Sequence, residues 1–189
     1  CGLRRDNRGL ARYRMTGDEV VACAEQIARA GIRTVVLQSG DDPAVSAESL
    51  CGIIRRIKER FPEMAVTLSV GERPLFHYDA FHAAGADRFL LKHETVNPAL
   101  YQKLHPGQNH GRRLAILRHL KRLAFQTGAG CIVGLPDQTL EDLADEVVFL
   151  EEFQPAMIAV GPFLPQKDTP LGSLPPGDAT LSLRMLALS

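Results

Sequence analysis

Hydrophobic residues alternate along the chain between short β-branched runs and longer stretches of helical spacing, the pattern of successive βα units on a parallel sheet. Thr16-Gly17-Asp18-Glu19 has capping-box form and predicts a helix that carries Val20, Val21, Ala24, Ile27 and Ala28 as far as Gly31. Thr34-Val35-Val36-Leu37 predicts a buried strand ending in Gln38-Ser39-Gly40, and Leu50, Ile53, Ile54 and Ile57 share one face of a helix expected from Ser46 to Arg60. The cycle continues with a strand from Ala65 to Val70, a short helix near Leu75 to Ala84, and a strand from Arg88 to Leu91. Lys92, His93, Glu94 and Thr95 stand at that strand's carboxyl end. Helical segments are expected at Pro98 to Leu104 and Gly111 to Phe125, then a strand from Ala129 to Val133 running into Gly134-Leu135-Pro136. A second capping box, Thr139 to Asp142, opens a helix through Leu150, and the last strand, Met157 to Val160, ends in Gly161-Pro162.

Consecutive βα units at a repeat of about 30 residues either close a barrel or build an open doubly wound sheet. No G-x-G-x-x-G or G-x-x-x-x-G-K-[ST] follows a strand, whereas polar residues and glycines gather at nearly every strand's carboxyl end, where a βα barrel places its active site. The expected fold class is therefore α/β, a partial TIM-type (βα) barrel, with residues 1–189 as one core domain. The chain opens on Cys1 and stops at Ser189 inside an apolar helical pattern (Leu181, Leu183, Met185, Leu186, Leu188), so it is expected to be an excerpt lacking the first and last strands.

Composition narrows the functional classes. Twenty-two basic and 22 acidic residues cancel, which excludes an overall field recruiting nucleic acid or anionic membrane. The basic stretch Arg4, Arg5, Arg8, Arg12 and Arg14 then reads as solvated or partner-covered. Neither a membrane-spanning apolar run nor a signal peptide is visible, and a cytosolic protein is the default expectation. The four cysteines are too scattered for a disulfide framework; Cys23, Cys51 and Cys131 are expected to be small buried apolar residues.

The strand ends bring Gln38, Ser39, Gly40 and Asp41, Thr67, Ser69 and Glu72, Lys92, His93 and Glu94, Gly130, Cys131 and Gly134, and Gly161 and Pro162 toward one mouth. That is a polar pocket for a zwitterionic or anionic small molecule. Lys92 and Glu94, two apart on one strand, share a face and can pair. Lys92 as a Schiff-base nucleophile is one reading, and an ion pair that positions a ligand or stiffens the sheet is the favoured one. His93, facing the other way, is expected to be satisfied structure, and Arg113 to be a solvated helix residue unless it reaches a carboxylate.

Cys1-Gly2-Leu3-Arg4-Arg5-Asp6-Asn7 resembles the end of the CxxxCxxC cluster loop of radical S-adenosylmethionine (SAM) enzymes, here with only its third cysteine. The likeness continues through Arg12-Tyr13-Arg14, Val36 to Pro43, Thr67 to Glu72, Gly85 to Arg88, His93-Glu94-Thr95, Thr127 to Gly130, Val133 to Pro136 and Val160 to Phe163, and is strongest to the FeFe-hydrogenase maturases of the biotin-synthase-like group. The resemblance implies a 4Fe-4S cluster with Cys1 as one ligand and an open iron for SAM, cleaved reductively to a 5′-deoxyadenosyl radical. It places Ser39, Gly40 and Asp41 at the edge meeting the methionine amino group and Thr67, Glu94 and Arg113 against SAM. Gly134, Gly161 and Pro162 would line the adenosyl moiety or cavity floor, and Lys92 stands where that group usually has Arg. It further implies a small-molecule substrate, an electron donor such as ferredoxin or flavodoxin, and other hydrogenase maturation proteins as partners, with neither nucleic acid nor membrane. Sulfur insertion, methylornithine synthesis, a Schiff-base aldolase-like barrel and a non-catalytic binding barrel are the alternatives. With two cluster cysteines upstream of residue 1, the excerpt alone is expected to be inactive.

Overall fold

The computed structural model describes residues 2–189; Cys1, the expected cluster ligand, lies outside the described residues. Among the described residues seven strands and seven helices follow one another along the chain. They are α1 (Gly17–Arg29), β1 (Thr34–Gln38), α2 (Ala47–Arg60), β2 (Ala65–Ser69), α3 (Leu75–Ala83), β3 (Arg88–Leu90), α4 (Pro98–Leu104), α5 (His110–Arg122), β4 (Gln126–Ala129), β5 (Ile132–Val133), α6 (Leu140–Phe153), β6 (Met157–Ile158), β7 (Gly161–Pro162) and α7 (Ala179–Leu188).

β1, β2, β3, β4 and β6 form one all-parallel sheet in that order, and β5 pairs with β7. The order never reverses. A doubly wound sheet reverses at its switch point, so one-way winding identifies a sector of barrel wall. Both capping boxes form, Thr16 with Glu19 and Thr139 with Asp142. Ser46, Asn97, Asn109 and Asp178 cap α2, α4, α5 and α7 with their side chains.

Strand alternation then sorts the side chains into two layers. Val35, Val66, Leu68, Val70, Phe89 and Leu91 share one core with Leu50, Ile54, Ile57, Tyr78, Phe81, Ile116, Leu117 and Leu120 from the helices. The opposite face carries Thr34, Val36, Thr67, Arg88 and Leu90, in register across β1 to β3. Val36 is 54% exposed there, because this face looks into the barrel lumen and not at a helix. At its amino-terminal end Arg88 donates to Thr34 and to Gln126.

The fourth and fifth strands differ from expectation. The ladder begins at Gln126, not Ala129, because α5 ends at Arg122 and Ala124 turns the chain with φ +63°. It breaks at Gly130-Cys131, and the last strand breaks at Ala159-Val160. The pairs Gly128 with Met157 and Ile132 with Gly161 keep the same offset, so each strand is interrupted and not displaced. Cys23 is a second difference: it is exposed on α1, whereas Cys51 and Cys131 are buried.

Candidate active site

The interruption has a counterpart in the third strand. Leu90 pairs with Gly128, but the next bridge joins Glu94 to Cys131, so four steps on one side match three on the other. This is a one-residue bulge, a device that re-aims side chains at strand ends. Glu94 leaves it with φ +69°, donating its N–H to the Gly130 carbonyl (3.0 Å) and accepting from Ile132 (2.9 Å). Lys92 and Glu94 do pair, Nζ to Oε2 at 3.5 Å, though across a bulge and not by simple alternation along a strand. Glu94 Oε2 is buried and accepts no hydrogen bond.

Arg113 is the largest departure from a solvated helix residue: its side chain is 7% exposed. Leucine-like spacing with Ile116, Leu117 and Leu120 puts it on the buried stripe of α5. Its Nε lies 2.6 Å from the Tyr101 hydroxyl and 3.0 Å from Glu72 Oε1, Nη1 donates to the Lys92 carbonyl (2.9 Å) and Nη2 to Gln108 (3.2 Å). The Tyr101 hydroxyl in turn donates to Gln108 at 3.1 Å. Burial raises the Tyr101 phenol above its usual value while Arg113 pulls it down, so the hydroxyl keeps its proton at neutral pH. Burial and the Arg113 charge together lower His105, which stacks on Tyr101.

Gln108 connects this cluster to the loop after β1. Its amide donates to Asp41 (3.2 Å), and the other Asp41 oxygen accepts the Glu72 N–H at 2.6 Å. The Asp41 carboxylate is therefore engaged in bracing two loops. Arg73, buried at 7%, donates to the carbonyls of Val70, Val45 and Asp42 and fixes the same loop from below.

The remaining expected residues fall on the same carboxyl rim, which a parallel sheet makes common to every strand. Ser39 continues the ladder by donating its N–H to Ser69, and Gly40 turns with φ +64°. Thr67 is buried on the lumen face between Val36 and Arg88. Gly134 is needed for packing: its φ is +80°, and a Cβ would stand 2.6 Å from Gly177 Cα. Pro162 lies on β7 opposite Val133. Cys131 is wholly buried, and burial pushes its thiol up to about 12, so it remains protonated and inert. Sequence reasoning missed Tyr101, Gln108, Arg73 and Glu146.

These features fit SAM. A buried carboxylate oxygen that accepts no hydrogen bond suits an amine or hydroxyl of a ligand, and the backbone at Gly40 and Gly161 is open where a Cβ would point. Among the described residues no group of three or more His, Cys, Asp or Glu could hold a metal, and no helix is long and apolar enough to cross a membrane.

Comparison with known proteins agrees. The chain is 49% identical over all 189 residues to the [FeFe] hydrogenase maturase subunit HydE of Thermotoga maritima, covering 54% of that protein. It is 27% identical over 175 residues to biotin synthase of Desulforudis audaxviator, covering 92% of this chain and 53% of that one. The chain thus spans about half the length of the curated relatives it matches. In fold it superposes on the crystal structure of methylornithine synthase (PylB) with a TM-score of 0.84 at 24% identity, over 95% of this chain and 55% of that one. The maturase HydG gives 0.80 at 19% identity, over 98% and 44%. Residues 1–150 match the radical SAM superfamily, whose members use a 4Fe-4S cluster and SAM, and the chain belongs to that superfamily.

Proposed function

We propose that this chain is the core of a radical SAM enzyme acting in assembly of the FeFe-hydrogenase active site. The observation that carries the proposal is the 49% identity to HydE over all 189 residues, against 27% over 175 for the biotin synthase. When bound, a 4Fe-4S cluster and SAM would supply reductive, one-electron radical chemistry at this rim.

Cys1 supplies one cluster thiolate. Ser39 and Gly40 offer a backbone edge to the methionine amino group, while Asp41, tied to Glu72 and Gln108, holds that edge in place. Thr67 and Glu94 accept from the ligand, and Lys92 and Arg113 supply the positive wall for a carboxylate. Gly134 and Pro162 shape the floor. The lumen walls would exclude water from a ligand held at this rim. The substrate is a small molecule entering that lumen, the reductant is a ferredoxin or flavodoxin, and other maturation proteins receive the product.

The test uses the intact protein reconstituted with iron and sulfide without air. Reduction with SAM should release methionine and 5′-deoxyadenosine, and adding the protein to a maturation mixture lacking only this component should restore activity to an apo-hydrogenase. Conversion of dethiobiotin, with no restoration, would reassign it to sulfur insertion. Absence of SAM cleavage by the iron-loaded protein would overturn the proposal altogether.

A further inference from the structure

Glu146 occupies a position where helix periodicity asks for a leucine: it shares the buried stripe of α6 with Leu143, Leu150 and Phe153. It is 0% exposed. One carboxylate oxygen meets His93 Nε2 at 2.7 Å and the other accepts the Val96 N–H at 2.5 Å. His93 is equally buried, its Nδ1 accepts the Gly130 N–H at 3.3 Å, so Nε2 is the nitrogen that donates, and the Phe149 ring covers it at 4.6 Å. A carboxylate placed in an apolar stripe forfeits hydration that a leucine would never need, so geometry and not stability is what it contributes.

What it fixes lies between its two contacts. Residues 93 and 96 are held from α6, and Glu94 sits between them in the left-handed region at φ +69°. A non-glycine residue there is strained and persists only where its surroundings over-determine it. We propose that Glu146 and His93 are positioning residues that lock the left-handed turn aiming the Glu94 carboxylate into the lumen, so that SAM affinity depends on a helix-borne carboxylate that never touches SAM. The inference rests on the reading above that Glu94 binds SAM.

The test measures the dissociation constant of SAM by calorimetry on the intact, oxidised, iron-loaded protein, with iron content and melting temperature recorded for each variant. Glu146→Gln sets an amide N–H against either His93 or Val96, both donors. SAM affinity should fall ~10-fold or more at unchanged iron content, the scale on which supporting partners of a ligand group act. The double variant Glu94→Gln/Glu146→Gln should bind no worse than Glu94→Gln alone, because the two act through one contact. His93→Gln, which still reaches Glu146 with an N–H, should stay within about threefold of wild type, while His93→Leu should lose affinity as Glu146→Gln does. Were Glu146→Gln to fold poorly, this second pair decides. A lowered melting temperature with unchanged affinity in Glu146→Gln and His93→Leu, or additive losses in the double variant, would make the pair structural only and overturn the inference. If Glu94→Gln itself leaves SAM binding unchanged, the site reading fails and takes the inference with it.

Discussion

Replacing Gly130 by alanine tests whether the interrupted strands are held by close backbone approach. An added Cβ would lie 2.0 Å from the Ala159 carbonyl oxygen, 2.7 Å from its carbon and 3.0 Å from its nitrogen, all backbone atoms with no rotamer to yield. Restoring a carbon–oxygen contact of about 3.3 Å requires β4 and β6 to part by roughly 1.3 Å where they end. The neighbouring ladder bond, Ala159 N–H to the Ala129 carbonyl at 2.9 Å, cannot survive that movement. Losing one such bond costs about 1 kcal/mol, and leaving its buried partners unmet adds about 1–3 kcal/mol, so Gly130→Ala should destabilise by ~2–4 kcal/mol. Urea unfolding of the intact protein, followed by far-ultraviolet circular dichroism, should show a lower midpoint at unchanged slope. Gly52 supplies the control of opposite sign. It lies in α2 with open space around its missing Cβ, so Gly52→Ala should stabilise by about 0.5–1 kcal/mol. A Gly130→Ala midpoint matching wild type, while Gly52→Ala behaves as stated, would refute the close-approach argument.

Four further outcomes follow from other parts of the structure. Arg73→Lys retains the charge but reaches fewer of the three carbonyls that Arg73 now serves, so it should cost about 1–3 kcal/mol and speed amide exchange in residues 39–45; unchanged exchange would show the brace to be unimportant. Burial raises Cys131 from 9.0 to about 12 and Tyr78 from 10.0 to about 12, so the unfolded chain ionises first. Stability from both groups is intact below pH 9 and lost as pH climbs toward 12, a fall readable as melting temperature against pH that Cys131→Ser should reduce. Iodoacetamide at pH 8 should accordingly modify exposed Cys23 and spare Cys51 and Cys131, as read site by site from peptide masses after digestion. Borohydride with carbonyl compounds should add no mass at Lys92, whose ammonium is paired with Glu94; an adduct there would restore the Schiff-base chemistry that the family assignment disfavours.

The fold was legible because its signals are local. Thr16 with Glu19 and Thr139 with Asp142 announce helix starts by spacing alone, and both boxes close. The β-branched run at Thr34 and the alternating run at Ala65 pair residue for residue. What the pattern did not carry is the bulge. Leu91-Lys92-His93-Glu94 reads as a strand continuing, since one extra residue leaves hydrophobic periodicity almost intact, and the bridge that reveals it joins Glu94 to Cys131 across the sheet. Register between strands is a non-local property, which spacing along a single chain does not display.

The site divides along the same line. Gln108 is a polar residue in a loop between α4 and α5, and no spacing rule distinguishes it from solvated neighbours, yet it joins Asp41, Tyr101 and Arg113. Arg113 and Glu146 are different, because each interrupts a buried helical stripe: Arg113 among Ile116, Leu117 and Leu120, Glu146 among Leu143, Leu150 and Phe153. A charge on such a stripe must find partners on the sheet beneath it, since isolated burial costs far more than the helix gains from the remaining apolar contacts. Those partners are the Lys92 carbonyl and Glu72 for Arg113, and His93 and the Val96 amide for Glu146. Both charges converge on residues 92 to 96, the stretch that carries the bulge and Glu94. Two misfit helix positions therefore locate the same five residues from opposite sides, and the rim chemistry of this barrel is written as much in its helices as at its strand ends.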